Sequence, residues 1–285
     1  MYAGLPRLPL PGEEVWAATC SILPGGTYIT AAALHRLGVS CVWATSFGTD
    51  PFSAYVLSCA RSEGLDEVGF TMLDHQLPNI STSLSFGSDR SFVSFGGSSE
   101  ADTGGLIRRL RPRVVALPGL GTLADTRRWV DAAYDVGAIV FLDPQSTDQR
   151  LDTPGMMDLL ARVAIFAPNE REAMWLTGAS SPEVAAAMLG GIGSLVLIKR
   201  GADGVLAVRG DRMISAPALP GIRPVDTTGA GDCFNAAFIA SMLAGEPIET
   251  CLDIGNIAGG MSTLAPGSHG IPTKSVIESQ IRAHH

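Results

Sequence analysis

The sequence predicts an α/β protein built on a doubly wound, mostly parallel sheet, with a smaller second sheet beside it. Three observations carry this expectation. Beyond residue 25, short β-branched apolar runs alternate with amphipathic stretches. Those runs are apolar at nearly every position, as strands covered on both faces must be. Two further segments instead alternate polar and apolar residues, the pattern of antiparallel strands with one wet face.

In chain order, residues 13–22 carry the first alternating segment, and residues 27–37 read as a helix. A buried strand is expected over 41–47 (CVWATSF), then a helix over 51–64, with Pro51 at its first position and Gly64 as its C-terminal cap. The second alternating segment, 79–95, contains a Gly-Ser-Asp turn and reads as a hairpin. The basic cluster at 108–113 (RRLRPR) reads as the end of an exposed helix. Strands follow at 113–117, 138–143 (AIVFLD), 163–167 (VAIFA) and 194–199 (SLVLIK), with helices at 123–136, 169–178 and 182–189 between them. The two alternating segments are expected to form a small sheet over the carboxyl edge of the main strands, where α/β proteins bind ligands. The predicted division is thus 24–78 with 96–285 for the α/β body, and 1–23 with 79–95 for a lid.

Composition narrows the function. Among 285 residues, 46% are hydrophobic and 17% charged, well inside the range of chains that fold on their own. The 28 acids exceed the 20 Lys and Arg to give a net charge of −8, which repels a polyanion and argues against nucleic-acid binding. The longest uncharged apolar run, 184–198, is interrupted by glycines and too short to span a bilayer, and the proline-rich start lacks a signal-peptide core. Five cysteines without C-x-x-C spacing suggest reduced thiols and a cytoplasmic setting. The five histidines form no metal-binding spacing with cysteines or acids.

The chemistry concentrates in residues 225–243, VDTTGAGDCFNAAFIASML. Glycines at the head of a long apolar helix leave amide groups open where aligned peptide dipoles favour an anion, so Gly229, Ala230 and Gly231 read as a phosphate cradle. Asp232 would repel a phosphate, yet it is placed to take a proton from a hydroxyl that attacks one. The bland alternative, an acid complementing a helix terminus beside an ordinary turn, fits the local pattern equally well.

This segment resembles the C-terminal signature of the ribokinase, or PfkB, family of carbohydrate kinases. Further elements fall in the family's order: Pro11-Gly12-Glu13, Gly25-Gly26, Phe47-Gly48-Thr49-Asp50, Asp143-Pro144, Asn169-x-x-Glu172, Lys199-Arg200-Gly201-x-x-Gly204, and Asn256 with the Gly267 loop. The resemblance implies a three-layer α/β/α sandwich with a β-sheet lid, ATP as phosphoryl donor, Mg²⁺, and a hydroxymethyl group of a small sugar or sugar acid as acceptor. It casts Asp232 as catalytic base and the amides of Gly229, Ala230 and Gly231 as the anion hole. Asn169 and Glu172 fall on the nucleotide side, Glu172 acting on Mg²⁺ through water, although Asn with Glu three positions on is equally a capping box. Lys199, Gly201, Gly204, Asn256 and Gly267 line the nucleotide, with Lys199 and Arg200 equally readable as a solvated strand end without a catalytic role. Gly25, Gly26 and Thr30 meet the acceptor, and Asp226 with Thr228 resembles the K⁺ site of some members. Asp50 reads as a helix cap ahead of Pro51.

Two features depart from the family pattern. A first core strand with a substrate-contacting Asp ahead of Pro11 is expected in the family and does not precede it here. Thr30 stands where many members have Asn, which points away from ribose. The Asp143-Pro144-Gln145 stretch likewise differs from that of typical fructokinases and ketodeoxygluconate kinases. The resemblance also implies pairing of two copies through their lids. A nucleoside kinase, or a non-catalytic relative that binds sugar or nucleotide, is the alternative function.

Overall fold

The computed structural model describes residues 1–86, 89–145 and 147–284, without the side chains of 89, 90, 283 and 284. Gly87 and Ser88 of the expected hairpin turn lie outside the described residues, as does His285.

The body is a six-stranded sheet in the order β12-β11-β10-β9-β8-β7. Its strands are β7 (Val114–Pro118), β8 (Ile139–Asp143), β9 (Ile165–Phe166), β10 (Leu195–Lys199), β11 (Val205–Arg209) and β12 (Arg212–Ala216). β7 to β10 run parallel, and β11 and β12 return antiparallel around Gly210 and Asp211. Successive side chains leave the sheet on opposite faces, and the core divides accordingly. Phe141, Leu197, Val205 and Ala207 enter one cluster with helices α1 (Thr27–Arg36), α8 (Ala230–Ala244) and α9 (Ile248–Ser262). Val140, Leu142, Val196, Ile198 and Leu206 enter the other, with α4 (Leu123–Asp135), α5 (Met156–Leu160), α6 (Glu170–Thr177) and α7 (Pro182–Gly190). Two cores on one sheet give three layers, α/β/α, the expected fold class.

The expected strand over 41–47 shortens to β3 (Thr45–Phe47), which pairs in parallel with β4 (Phe70–Met72) in a two-stranded ladder separate from the six-stranded sheet. Trp43, Phe70, Val114 and Ala116 nevertheless pack against one core, so the two sheets share a hydrophobic interior. Between β3 and β4 lies α2 (Pro51–Glu63). Asp50 caps it, accepting from the amides of Phe52 and Ser53 while its other oxygen takes the Ser53 hydroxyl and the Leu77 amide.

The third sheet has the order β2-β1-β5-β6, from β1 (Tyr2–Leu5), β2 (Thr19–Cys20), β5 (Ile80–Phe86) and β6 (Asp89–Phe95). Only Thr19 and Cys20 of the expected 13–22 segment are strand. Residues 13–17 lie outside any strand, folded back after the prolines at 6, 9 and 11 by the Arg7–Glu13 ion pair. β1, which local sequence did not signal, gains its partner from far along the chain, pairing in parallel with β5. Helices α3 (Thr103–Leu110), carrying the Arg108 cluster, and α10 (Lys274–His284) complete the elements. Among the described residues no helix is long and apolar enough to cross a membrane.

All five cysteines are free. Cys233 and Cys251 are buried, Cys41 and Cys59 half-buried, and Cys20 exposed. Burial pushes the Cys41 thiol up to about 11 and that of Cys233 up to about 12, keeping both as neutral thiols.

Gly204 joins β10 to β11 in the left-handed region (φ 80°), and a Cβ there would lie 2.1 Å from the Ala216 carbonyl oxygen. Gly204→Ala is therefore expected to destabilise the protein by about 2–4 kcal/mol, combining backbone strain with a steric conflict. Chemical denaturation checks this, with an unchanged midpoint as the contrary result.

Candidate active site

The loop before α8 is held from both sides. The amides of Val225 and Asp226 donate to the Thr263 carbonyl at 2.8 and 3.1 Å. The Asp226 carboxylate accepts from the Thr228 amide (3.0 Å) and hydroxyl (2.8 Å) through one oxygen, and from the Gly267 amide (2.8 Å) through the other. Gly229 then turns the chain with φ 82°, and a Cβ there would meet Ile29 of α1 at 2.8 Å. Only glycine satisfies both the backbone and the approach of α1. No side chain caps α8; the Ala230 amide donates to the Thr227 carbonyl at 3.3 Å, and the positive end of the helix dipole at this turn favours an anion.

Asp232 lies in that first turn, partly buried, and its Oδ1 accepts the Thr30 hydroxyl at 2.7 Å. Thr30 belongs to α1, whose N-terminus opens on Gly25 and on Gly26 (φ 58°), again with no side-chain cap. Two helix N-termini thus converge on one carboxylate. Burial is the main reason that Asp232's affinity for its proton rises to a pKa of about 6, and nearby Asp143 raises it further. The Thr30 hydrogen bond and the Lys199 ammonium act in the opposite direction.

Behind this turn, Lys199 at the end of β10 is no solvated strand end. Its ammonium meets Asp143 at 2.5 Å with both side chains nearly buried, 12% and 9% exposed. It also donates to Asn235 Oδ1 at 3.3 Å, and Asn235 Nδ2 donates to Asp143 Oδ2 at 2.6 Å. Arg200 behaves differently, bonding Ser215 and the Asp203 carbonyl around the Gly201–Gly204 turn. Sequence reasoning gave no role to Asp143 or Asn235. Asn235 did carry a signal, being a polar residue inside the apolar helix α8.

The remaining candidates fall into place as follows. Asn169 and Glu172 form a capping box at the head of α6, each side chain bonded to the other's amide at 2.9 and 2.8 Å. That box is bridged to Lys199 through main chain, and burial leads the influences that raise the Glu172 carboxyl, with Asp143 adding to them. Gly201 stands in the open at the β10 edge with φ 56°. A Cβ on Gly267 would lie 3.1 Å from Leu23, so the C-terminal loop runs close to the segment ahead of α1. Asn256 directs both amide hydrogens to the carbonyls of Ala216 and Pro217, so it fixes a wall of the cleft.

No cluster of three or more His, Cys, Asp or Glu that could hold a metal exists among the described residues. The acids present fit Mg²⁺ only in the manner typical of that ion, carried by phosphates and water with a carboxylate such as Glu172 nearby. Asp226 and Thr228 are bonded to one another, and Asp226 also accepts from the Gly267 amide, so the pair expected to resemble a K⁺ site forms a loop clasp.

A three-layer body, an uncapped glycine turn and an acid in the following helical turn define a phosphoryl-transfer class of site. Residues 10–274 match the family described as pfkB family carbohydrate kinase, and the chain belongs to that family. Ribokinase of Bacillus subtilis is 24% identical over 282 residues, covering 95% of this chain and 92% of that protein. Cytidine kinase of Thermococcus kodakarensis is 44% identical over 104 residues, which cover 35% of this chain and only 37% of that relative. The structure of Arabidopsis thaliana ribokinase complexed with ribose and ATP superposes with a TM-score of 0.81 at 25% identity, covering 97% of this chain and 93% of that one. The fold is ribokinase-like.

A carboxyl whose folded pKa lies near 6 against an ordinary 3.8 favours the folded state when protonated. Stability from this group is therefore complete below about pH 4 and is lost as the pH rises through 6. Asp232→Asn should gain up to about 3 kcal/mol relative to wild type at alkaline pH and little at acid pH. Melting temperatures measured at both pH values check the sign, and a gain confined to acid pH would contradict it.

Proposed function

We propose that the protein is an ATP-dependent kinase that transfers the γ-phosphoryl group to a primary hydroxyl of a small sugar or sugar acid. The observation that carries this reading is the Thr30–Asp232 hydrogen bond at the convergence of two uncapped helix N-termini. In the proposed reaction, the free oxygen of Asp232 takes the proton of the acceptor hydroxyl as its oxygen attacks phosphorus. The bond from phosphorus to the leaving ADP oxygen breaks, and the amides of Gly229, Ala230 and Gly231 receive the charge that develops on the phosphoryl oxygens. Thr30 holds the other carboxylate oxygen, and Gly25 and Gly26 offer backbone groups to the acceptor's remaining hydroxyls. Gly201, Gly204, Asn256 and Gly267 shape the nucleotide side. Mg²⁺, arriving with the nucleotide near Glu172, would neutralise the phosphate charge.

A nucleoside as acceptor is the second reading, favoured by the 44% identity to a cytidine kinase over part of the chain. Thr30 supports either departure from ribose, because a hydroxyl offers one donor where an amide offers two donors and an acceptor.

The four-stranded sheet, residues 1–23 with 79–95, acts in this reading as the lid that excludes water from the transfer. Its large apolar side chains are exposed, with Phe95 at 70%, Val93 at 66% and Trp16 at 80%. Two copies pairing through these lids would cover them and the β6 edge. Sedimentation equilibrium should return twice the mass of the chain. A monomer at micromolar concentration would contradict the pairing.

The function itself is tested by ADP release with ATP and Mg²⁺ against pentoses, hexoses, ketodeoxy acids and nucleosides. Turnover with one acceptor is expected, falling at least about a hundredfold in Asp232→Asn, as removal of a general base does. ATP binding without turnover on any acceptor would instead indicate a non-catalytic binding protein.

A further inference from the structure

The ring formed by Lys199, Asp143 and Asn235 has no part in the proton transfer, yet it lies directly beneath it. Three elements supply it: Asp143 ends β8, Lys199 ends β10, and Asn235 stands one turn beyond Asp232 on α8. Each member touches the other two. The ring is nearly closed to water, where a charge left without its partner is costly. A Cβ on Gly231 would come within 3.4 Å of the Lys199 ammonium, so the glycine turn approaches that buried charge closely with no side chain between them.

The surroundings of Asp232 contain few other charges. α1 presents the Thr30 hydroxyl. Arg36, further along α1, is engaged by Glu63 at 2.6 and 2.7 Å. On α8 the neighbour Cys233 is a neutral thiol, and α9 approaches Ala230 through Gly259, which has no side chain. Glu172 on α6 belongs to the same charged surroundings through Asp143 and Lys199. What remains is one buried negative charge, Asp143, and one buried positive charge, Lys199, acting on Asp232 with opposite sign.

We propose that Asp143, Lys199 and Asn235 are positioning residues that fix an ammonium under the Gly231 turn and, through their opposed charges, set how readily the Asp232 carboxylate takes up a proton. The proposal deepens the reading of Asp232 as the base and rests on it for its functional meaning. Asn235 suits the ring because it donates to the acid and accepts from the ammonium at once. An aspartate there would add a second negative charge against Asp143, and an alkyl side chain would leave both partners short of a bond.

The test uses the whole chain labelled with ¹³C at aspartate side-chain carboxyls, with the Asp232 resonance assigned by its absence in Asp232→Asn. Its titration is followed in the wild type, Lys199→Met, Asp143→Asn, the double variant and Lys199→Arg. The midpoint is expected to rise by about one pH unit in Lys199→Met and to fall by a similar amount in Asp143→Asn, the scale of a charge at this range. The double variant should return towards the wild type, and Lys199→Arg should stay close to it. Coincident midpoints, or single variants that shift in the same direction as loosened packing would make them, overturn the proposal. If Lys199→Met does not fold, Asp143→Asn and the double variant, in which no buried charge is stranded, still decide the sign. The titration needs no turnover, so opposed shifts in a chain that releases no ADP would uphold the electrostatic network while refuting the kinase reading.

Discussion

A hydroxyl on α1 and a carboxylate on α8, 202 residues apart in sequence, meet at 2.7 Å, and the cleft is organised around keeping them together. For that contact the two helices must present their N-termini to one point. Gly229 makes this possible, because any side chain there would collide with Ile29. The loop that carries Gly229 is fixed in turn by Asp226, which ties residues 226–228 to the Gly267 loop, and by Thr263. The same convergence of helix N-termini that would favour an anion also holds an acid beside it, the combination that the proposed phosphoryl transfer to an alcohol requires.

That arrangement works against stability in a definite way. A carboxylate brought into a crowded site beside Asp143 is disfavoured by burial first and by the like charge second. The fold answers with a hydroxyl from α1 in front and an ammonium from β10 behind. Neither restores Asp232 to the ordinary value, and the pKa near 6 that results is close to what a base working around neutrality needs. The strain is tolerable because the sheet beneath is packed on both faces, from Phe141 and Leu197 on one side to Leu142 and Ile198 on the other.

What the sequence disclosed follows from how local each feature is. The glycine turn of 229–231, the capping box of Asn169 and Glu172 and the Asp50 cap are contiguous patterns whose geometry is dictated within a few residues, and they were legible as such. The buried strands showed as apolar runs, although the β11–β12 hairpin passed unnoticed despite its Gly210-Asp211 turn. The strand Tyr2–Leu5 could not be read locally, because four residues ending at Pro6 become a strand only on pairing with β2 and the distant β5. The ring of Asp143, Lys199 and Asn235 was likewise hidden. Its members come from three elements with no fixed spacing, so a lysine at a strand end looks exposed until the fold buries it.

The most direct test of the central claim is the pH dependence of phosphoryl transfer in a single turnover, with ATP, Mg²⁺ and the active acceptor saturating, from about pH 5 to about pH 8. If the carboxylate at the junction of α1 and α8 is the base, the rate should rise about tenfold per pH unit on the acid side, bend near pH 6 and then level. A rate that is flat across that range, or that bends identically in Asp232→Asn, would contradict it.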